Sequence, residues 1–188
     1  MELLLSAKGI SKSFQERKVL DDIDIEIKKS EIIAISGSSG AGKTTLLNIL
    51  STLDKPDENT NSSLIIDGEN IFNLSNADLS KLRNTKIGFV FQFHELIPEL
   101  NVMENICLPG WIKNDSKVAD NANSLISYFG LGKLKNKKPN TLSGGEKQRA
   151  AIARAMINNP KIIFADEPTG NLDSINSKIL FDIFYKLR

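Results

Sequence analysis

An α/β fold with a mixed sheet is predicted by three features of this sequence. Residues 23–27, Ile-Asp-Ile-Glu-Ile, alternate strictly, which is the period of a half-buried strand. The apolar run Ile32–Ile35 leads into GSSGAGKT at Gly37–Thr44, and apolar residues at helical spacing follow from Thr44 to Leu53. That order, strand then glycine loop then helix, is the setting in which G-x-x-x-x-G-K-[ST] holds a phosphate. A third run, Ile162–Ala165, ends in adjacent carboxylates, Asp166 and Glu167, after a long helical pattern that opens on Ser143-Gly144-Gly145.

The other elements follow in order. Leu3–Leu5 reads as a strand, and Leu64–Ile66 with Asp67-Gly68 as a strand and turn; Ile87–Phe91 reads as a buried strand. From about Val102 to Gly130 the pattern is helical, punctuated at Pro109-Gly110 and Asn114-Asp115, with Ser116 placed to cap the helix that runs to Phe129. Lys133–Lys138 reads as a solvated basic connector, and Ile179–Leu187 as one more helix. The expected organisation is a single domain, 1–188. Residues 1–92 and 158–188 form its nucleotide-binding core, with an N-terminal antiparallel β subdomain, and 93–157 form a helical insertion.

Composition narrows the classes. Hydrophobic content of 40% and charged content of 25% are ordinary for a globular domain, and a net charge of +1 gives no electrostatic case for a nucleic-acid partner. Cys107 is the single cysteine, which excludes an internal disulfide and fits a reducing compartment. No window approaches the ~18 apolar residues that span a bilayer. The start, MELLLSAKG, has too short an apolar run for a signal peptide. Action at a membrane would need another chain to provide the spanning helices.

The chemistry is carried by three residue groups. In the loop formed by Gly37, Ser38, Ser39, Gly40, Ala41, Gly42, Lys43, Thr44 and Thr45, glycines free the backbone so that N–H groups encircle phosphate oxygens. Lys43 is placed to reach the β- and γ-phosphates, and the Thr44 hydroxyl to bind Mg²⁺. Asp166, at the end of a buried strand, is placed to hold Mg²⁺, and Glu167, one residue on, to polarise the attacking water as general base. Taken alone, two acids after an apolar run also fit a solvated strand end. Ser143, Gly144, Gly145 and Glu146 open a helix with small residues and free N–H groups, a second anion site; SGGE alone fits equally a capped helix with no ligand.

Together these motifs resemble the nucleotide-binding subunit of ATP-binding cassette (ABC) transporters, almost end to end. The resemblance implies ATP as substrate and Mg²⁺ as cofactor, held by Thr44, Gln92 and Asp166. It implies a head-to-tail homodimer in which each signature, Leu142–Glu146, faces the nucleotide of the other subunit. Gln92 matches the glutamine that contacts Mg²⁺ and senses the membrane subunit. Asn171-Leu172-Asp173 matches the loop that communicates across the dimer. Phe14 falls where the family sets a ring against adenine, with a core phenylalanine as the competing reading.

Gln92–Pro98, Asn105–Pro109 and Ala165–Asp173 further resemble the LolD family of lipoprotein-releasing ATPases. That implies a peripheral protein on the cytoplasmic face of the bacterial inner membrane. It would work with two integral permease subunits and couple ATP hydrolysis to lipoprotein release. Phe93, Leu96 and Ile97 are then expected to be exposed and to line the groove for a short cytoplasmic helix of the permease. MacB-type efflux and FtsE-type ATPases share the PTGNLD ending and form the alternative. A soluble, non-transport ABC ATPase is the alternative of another class, and one cassette with a compact insertion fits it poorly. One departure stands out. The resemblance implies a switch histidine on a strand after Asp173, whereas the one histidine is His94 and the chain stops 15 residues after Asp173. The end of the fold is therefore expected to be missing, either because the sequence is a truncated form of a longer protein or because the gene product is short, and ATP binding is expected to exceed turnover in these 188 residues.

Overall fold

The computed structural model describes residues 2–58, 61–170 and 173–187. It divides into two compact units, residues 1–83 and Asn84–Leu187.

The first unit is built on an antiparallel sheet in the order β2-β1-β3-β4. β1 (Leu3–Phe14) and β2 (Arg17–Lys28) form a long hairpin, closed by a tight turn in which Gln15 is left-handed at φ 55°. In β2 the alternation holds as expected: Ile23, Ile25 and Ile27 are half-buried while Asp24, Glu26 and Lys28 are exposed. β1 also pairs with β3 (Ser63–Ile66), Leu5 opposite Ile66 and Ala7 opposite Leu64. Asp67 and Gly68, at φ 49° and 79°, turn the chain into β4 (Glu69–Asn70), the double left-handed geometry that Asp-Gly favours in a hairpin. α1 (Lys43–Leu50) lays Leu46, Ile49 and Leu50 into the core with Leu5, Ile10, Leu64 and Ile66. Left-handed Thr52, at φ 67°, follows its end. α2 (Asn76–Lys86) buries only Leu82.

One expectation fails here. Ile32–Ile35 was to be a buried strand, but residues 31–38 join neither sheet, and Ile32, Ile33 and Ile35 are 48%, 44% and 38% exposed. The physical reason lies in sheet neighbours: an apolar run becomes a buried strand only where flanking strands take its backbone N–H and C=O groups. In its own unit β2 ends at Lys28, a turn carrying left-handed Ser30 (φ 62°) follows, and residues 31–38 pair with neither edge of the antiparallel sheet.

The second unit joins a parallel pair, β5 (Ile87–Val90) and β6 (Ile162–Ala165), to helices α3 (Val102–Ile112), α4 (Val118–Tyr128) and α5 (Gly144–Met156). Ile106 and Cys107 of α3, Ala122 and Ile126 of α4, and Ala150, Ile152 and Ala153 of α5 share one core with Val90, Leu131 and Leu142. α6 (Ser174–Leu187) begins earlier than Ile179, where the sequence suggested.

Two local expectations are corrected. Pro109-Gly110 does not interrupt α3, which runs on to Ile112. The Pro109 carbonyl accepts from Asn84 Nδ2 and Asn158 Nδ2, both at 3.1 Å, so tertiary bonds fix this turn of the helix. Ser116 does not cap α4. Asp115 does the local work, its Oδ1 accepting from the Lys117 N–H at 2.9 Å, while Asn114 turns left-handed at φ 58°.

Candidate functional site

In the first unit the phosphate loop is open to solvent: residues 31–41 are all exposed. Its shape comes from glycines, and Gly42 shows why. At φ 87° it starts α1 in a left-handed conformation, and a Cβ there would sit 2.9 Å from Val19 Cγ1 and 3.1 Å from the Val19 carbonyl. The β1–β2 hairpin thus presses directly on the loop. Lys43 Nζ donates to the Gly37 carbonyl at 3.0 Å and to the Ser38 carbonyl at 2.9 Å, and the Ala41 N–H donates back to Ser38 O at 3.2 Å. The loop is curled around its own ammonium, with the N-terminus of α1 behind it.

Phe14 closes the same hairpin and is 51% exposed, so it is not a core phenylalanine. Lys12 Nζ lies 5.6 Å from its ring centroid, held there by Asp54 Oδ1 at 3.0 Å, and takes one face of the ring.

In the second unit β5 and β6 run parallel, so their C-terminal ends share one edge. Gln92 leaves that edge from β5 and Asp166 from β6; the Asp166 N–H donates to the Val90 carbonyl at 3.0 Å and extends the ladder by one residue. Glu167 then turns left-handed, at φ 41°, and its carbonyl accepts from Gly170 N–H at 2.9 Å. Gln92 Nε2 donates to Glu167 Oε2 at 3.1 Å, joining two residues 75 positions apart in sequence.

The helix that opens on Ser143 is capped reciprocally. Glu146 accepts from the Ser143 N–H at 2.7 Å and from its hydroxyl at 2.8 Å, while the Ser143 hydroxyl accepts from the Glu146 N–H at 3.4 Å. The backbone and side-chain bonds from Ser143 hold the Glu146 carboxyl below its ordinary range. Ser143 and Gly144 are exposed, Gly145 half-buried. Asp173 sits before α6 and its carbonyl accepts from Ser177 N–H at 2.9 Å; Asn171 and Leu172 lie outside the described residues.

The expected apolar groove is corrected. Phe93 is 71% exposed, but Leu96 is packed against the helical core and Ile97 is half-buried. The cause is Asn105, fully buried on α3: its Oδ1 accepts from Ile97 N–H at 2.8 Å, and its Nδ2 donates to the carbonyls of Ile97, Leu100 and Asn101. That clamp draws 96–97 inward.

A second residue was missed by sequence reasoning. Arg154, on α5, donates from Nη2 to the His94 carbonyl at 2.9 Å and from Nη1 to the Glu95 carbonyl at 2.5 Å. Both carbonyls belong to left-handed residues, φ 66° and 47°, a conformation that costs about 1–2 kcal/mol for each non-glycine residue. Burial lowers the Arg154 pKa, with Glu95 opposing the shift. The only signal in the sequence was a charged residue interrupting the small apolar run Ala150–Ala155.

Residues 20–170 match the ABC transporter family. The lipoprotein-releasing system ATP-binding protein LolD of Bacteroides thetaiotaomicron is 48% identical over 187 residues, which cover 98% of this chain and 84% of that protein. LolD of Aquifex aeolicus is 46% identical over 191 residues, covering 100% and 83%. Among solved structures, the dimeric post-hydrolysis state of the ATP-binding cassette MJ0796 bound to ADP and Pi superposes with a TM-score of 0.87 at 39% identity, covering 98% of this chain and 82% of that one. With a phosphate loop, a carboxylate-ended strand and a capped signature helix in one sequence, and near full-length similarity to these proteins, the chain belongs to the ATP-binding subunits of the ABC transporter family.

Proposed function

We propose that this chain is the ATPase of a lipoprotein-releasing ABC system, acting as a homodimer on the cytoplasmic face of a bacterial inner membrane with two integral permease subunits. The cargo and the membrane partners rest on the likeness to LolD proteins of two bacteria. Among the described residues no helix is long and apolar enough to cross a membrane; the energy-coupling part is assigned on the match to the ABC transporter family. Residues 1–92 with 158–188 are assigned to nucleotide binding and 93–157 to the signature insertion.

The observation that carries the chemical reading is the Gln92–Glu167 hydrogen bond at the shared end of β5 and β6. On this reading Gly37–Thr45 cradle the phosphates of ATP and Lys43 exchanges the Gly37 and Ser38 carbonyls for β/γ oxygens. Phe14 offers the ring face opposite Lys12 to adenine. Thr44 in the first unit, and Gln92 and Asp166 in the second, each carry a side-chain oxygen donor, the donor chemistry that suits Mg²⁺. Bound there, Mg²⁺ neutralises charge on the phosphates. Glu167 takes the proton of the attacking water while Gln92 orients its carboxylate. Ser143, Gly144, Gly145 and Glu146 serve the nucleotide of the partner subunit; to reach it, the Ser143 hydroxyl gives up Glu146. Asp173 lies at the dimer contact.

Glu167→Gln tests the base. ATP binding should persist, an ATP-bound dimer should accumulate on size exclusion, and turnover in the assembled transporter should fall by roughly 10²-fold or more. Undiminished turnover would remove Glu167 from that role. The cargo is tested separately, by ATP-dependent release of a lipoprotein from vesicles that hold the permease pair. Full ATPase activity with no release would refute the lipoprotein assignment alone.

A further inference from the structure

The geometry points to Arg154 as the positioning residue that keeps Gln92 in register with Glu167, by gripping the main chain two and three residues beyond Gln92. This rests on the roles proposed above for Gln92 and Glu167, and it goes beyond them by naming what holds the pair together.

The chain leaves β5 at Val90 and is anchored again at Leu96, which packs on the helical core. Between those anchors it reverses through two successive left-handed residues, His94 and Glu95, neither of them glycine. The turn's own bonds are short-range: His94 N–H donates to Phe91 O at 3.1 Å, and Glu95 N–H to Phe93 O at 2.8 Å. The carbonyls of the two strained residues are gathered by the Arg154 guanidinium. A strained backbone persists only where its surroundings over-determine it, and this fork is the contact that addresses both residues at once.

Arg154 stands near the C-terminal end of α5, about three turns from Ser143, on a helix whose Ala150, Ala151, Ile152 and Ala153 are all buried. The fork is therefore mounted on a rigid element. A planar guanidinium fixes the angle between the two carbonyls, which a lysine ammonium does not. Without it, residues 94 and 95 relax toward right-handed or extended backbone, the stretch between Phe91 and Leu96 rotates, and Gln92 Nε2 leaves Glu167 Oε2. The effect falls on turnover. ATP affinity, which resides in the phosphate loop of the other compact unit, is retained.

The test is a double-substitution cycle in the assembled ATPase with ATP as the probe, reading kcat and KM separately, beside amide hydrogen exchange of residues 91–98. Arg154→Met is expected to lower kcat about tenfold or more, because small displacements of a positioned group are costly, and to leave KM within about twofold. Exchange in 91–98 should quicken while amides of β6 and α3 stay slow. Because the arginine acts through Gln92, the Gln92→Ala, Arg154→Met double variant should be no slower than Gln92→Ala alone; a merely structural arginine would multiply the two losses. Arg154→Lys should fall between wild type and Arg154→Met, and it carries the same cycle should Arg154→Met fail to fold. Multiplicative losses, a KM-only effect, or unchanged exchange in 91–98 would overturn the inference and leave Gln92 in place. An unchanged kcat in Gln92→Ala would overturn both.

Discussion

Lys43 holds its ammonium against two loop carbonyls, so the nucleotide binding proposed for this residue is an exchange of partners rather than a new contact. Phosphate wins because the ammonium then faces a full negative charge instead of a carbonyl dipole. Lys43→Ala should therefore weaken ATP binding by about 2–3 kcal/mol, near a hundredfold, in titration with a fluorescent analogue. Affinity within a few-fold of wild type would refute the phosphate-loop assignment. At this scale the sequence was most legible where a residue's job is local. Gly42 starts α1 beside Lys43, and Ser143 and Glu146 cap each other three positions apart, so the local geometry of each pair follows from its spacing. Arg154 and Asn105 were illegible because their partners are main-chain oxygens and N–H groups that only the folded chain delivers.

At the scale of elements, packing distance decides. Gly88 lies in β5 where α5 comes closest: a Cβ there would meet the Ala155 carbonyl at 2.8 Å and the Pro160 and Ile163 side chains at 3.2 Å. A backbone carbonyl cannot rotate aside, so Gly88→Ala must push α5 off the sheet. Overpacking of this kind costs about 1–3 kcal/mol, and the melting temperature should drop by roughly 2–10 °C. An unchanged melting temperature would show that α5 yields freely. Elements whose residues face one neighbour in a fixed period, such as β2, α4 and α5, were readable. Pro109 misled as a breaker because Asn84 and Asn158 supply bonds from outside the helix. Ile32–Ile35 misled as a strand because apolarity specifies burial, whereas a strand also needs neighbours for its backbone.

For the whole molecule, the segment after Gln92 divides into an outward and an inward part. Phe93 faces solvent, while Leu96 is partly buried and packs against the core of the second unit. The surface offered to a membrane subunit is therefore tested at Phe93. Phe93→Asp should leave ATP binding intact and stability within about 0.5 kcal/mol, since it alters an exposed side chain, yet abolish co-purification with the proposed permease subunits. Retention of the complex would move the docking surface elsewhere. Leu96→Asp, by contrast, should destabilise the second unit by placing a charge against its core, so loss of the complex there would say nothing about docking.

The grip of Arg154 on the carbonyls of His94 and Glu95 has a consequence for how such a protein can diversify. A guanidinium that reads only main-chain oxygen is blind to the side chains carried at those positions. Residues that tolerate a left-handed backbone can replace one another at 94 and 95, and exposed Phe93 beside them can change as well, without disturbing the hydrogen bond between Gln92 and Glu167. On the roles proposed for Phe93, Gln92 and Glu167, partner choice and nucleotide chemistry would occupy adjacent positions yet vary independently, so that one ATPase could be refitted to a new membrane partner by surface exchange alone.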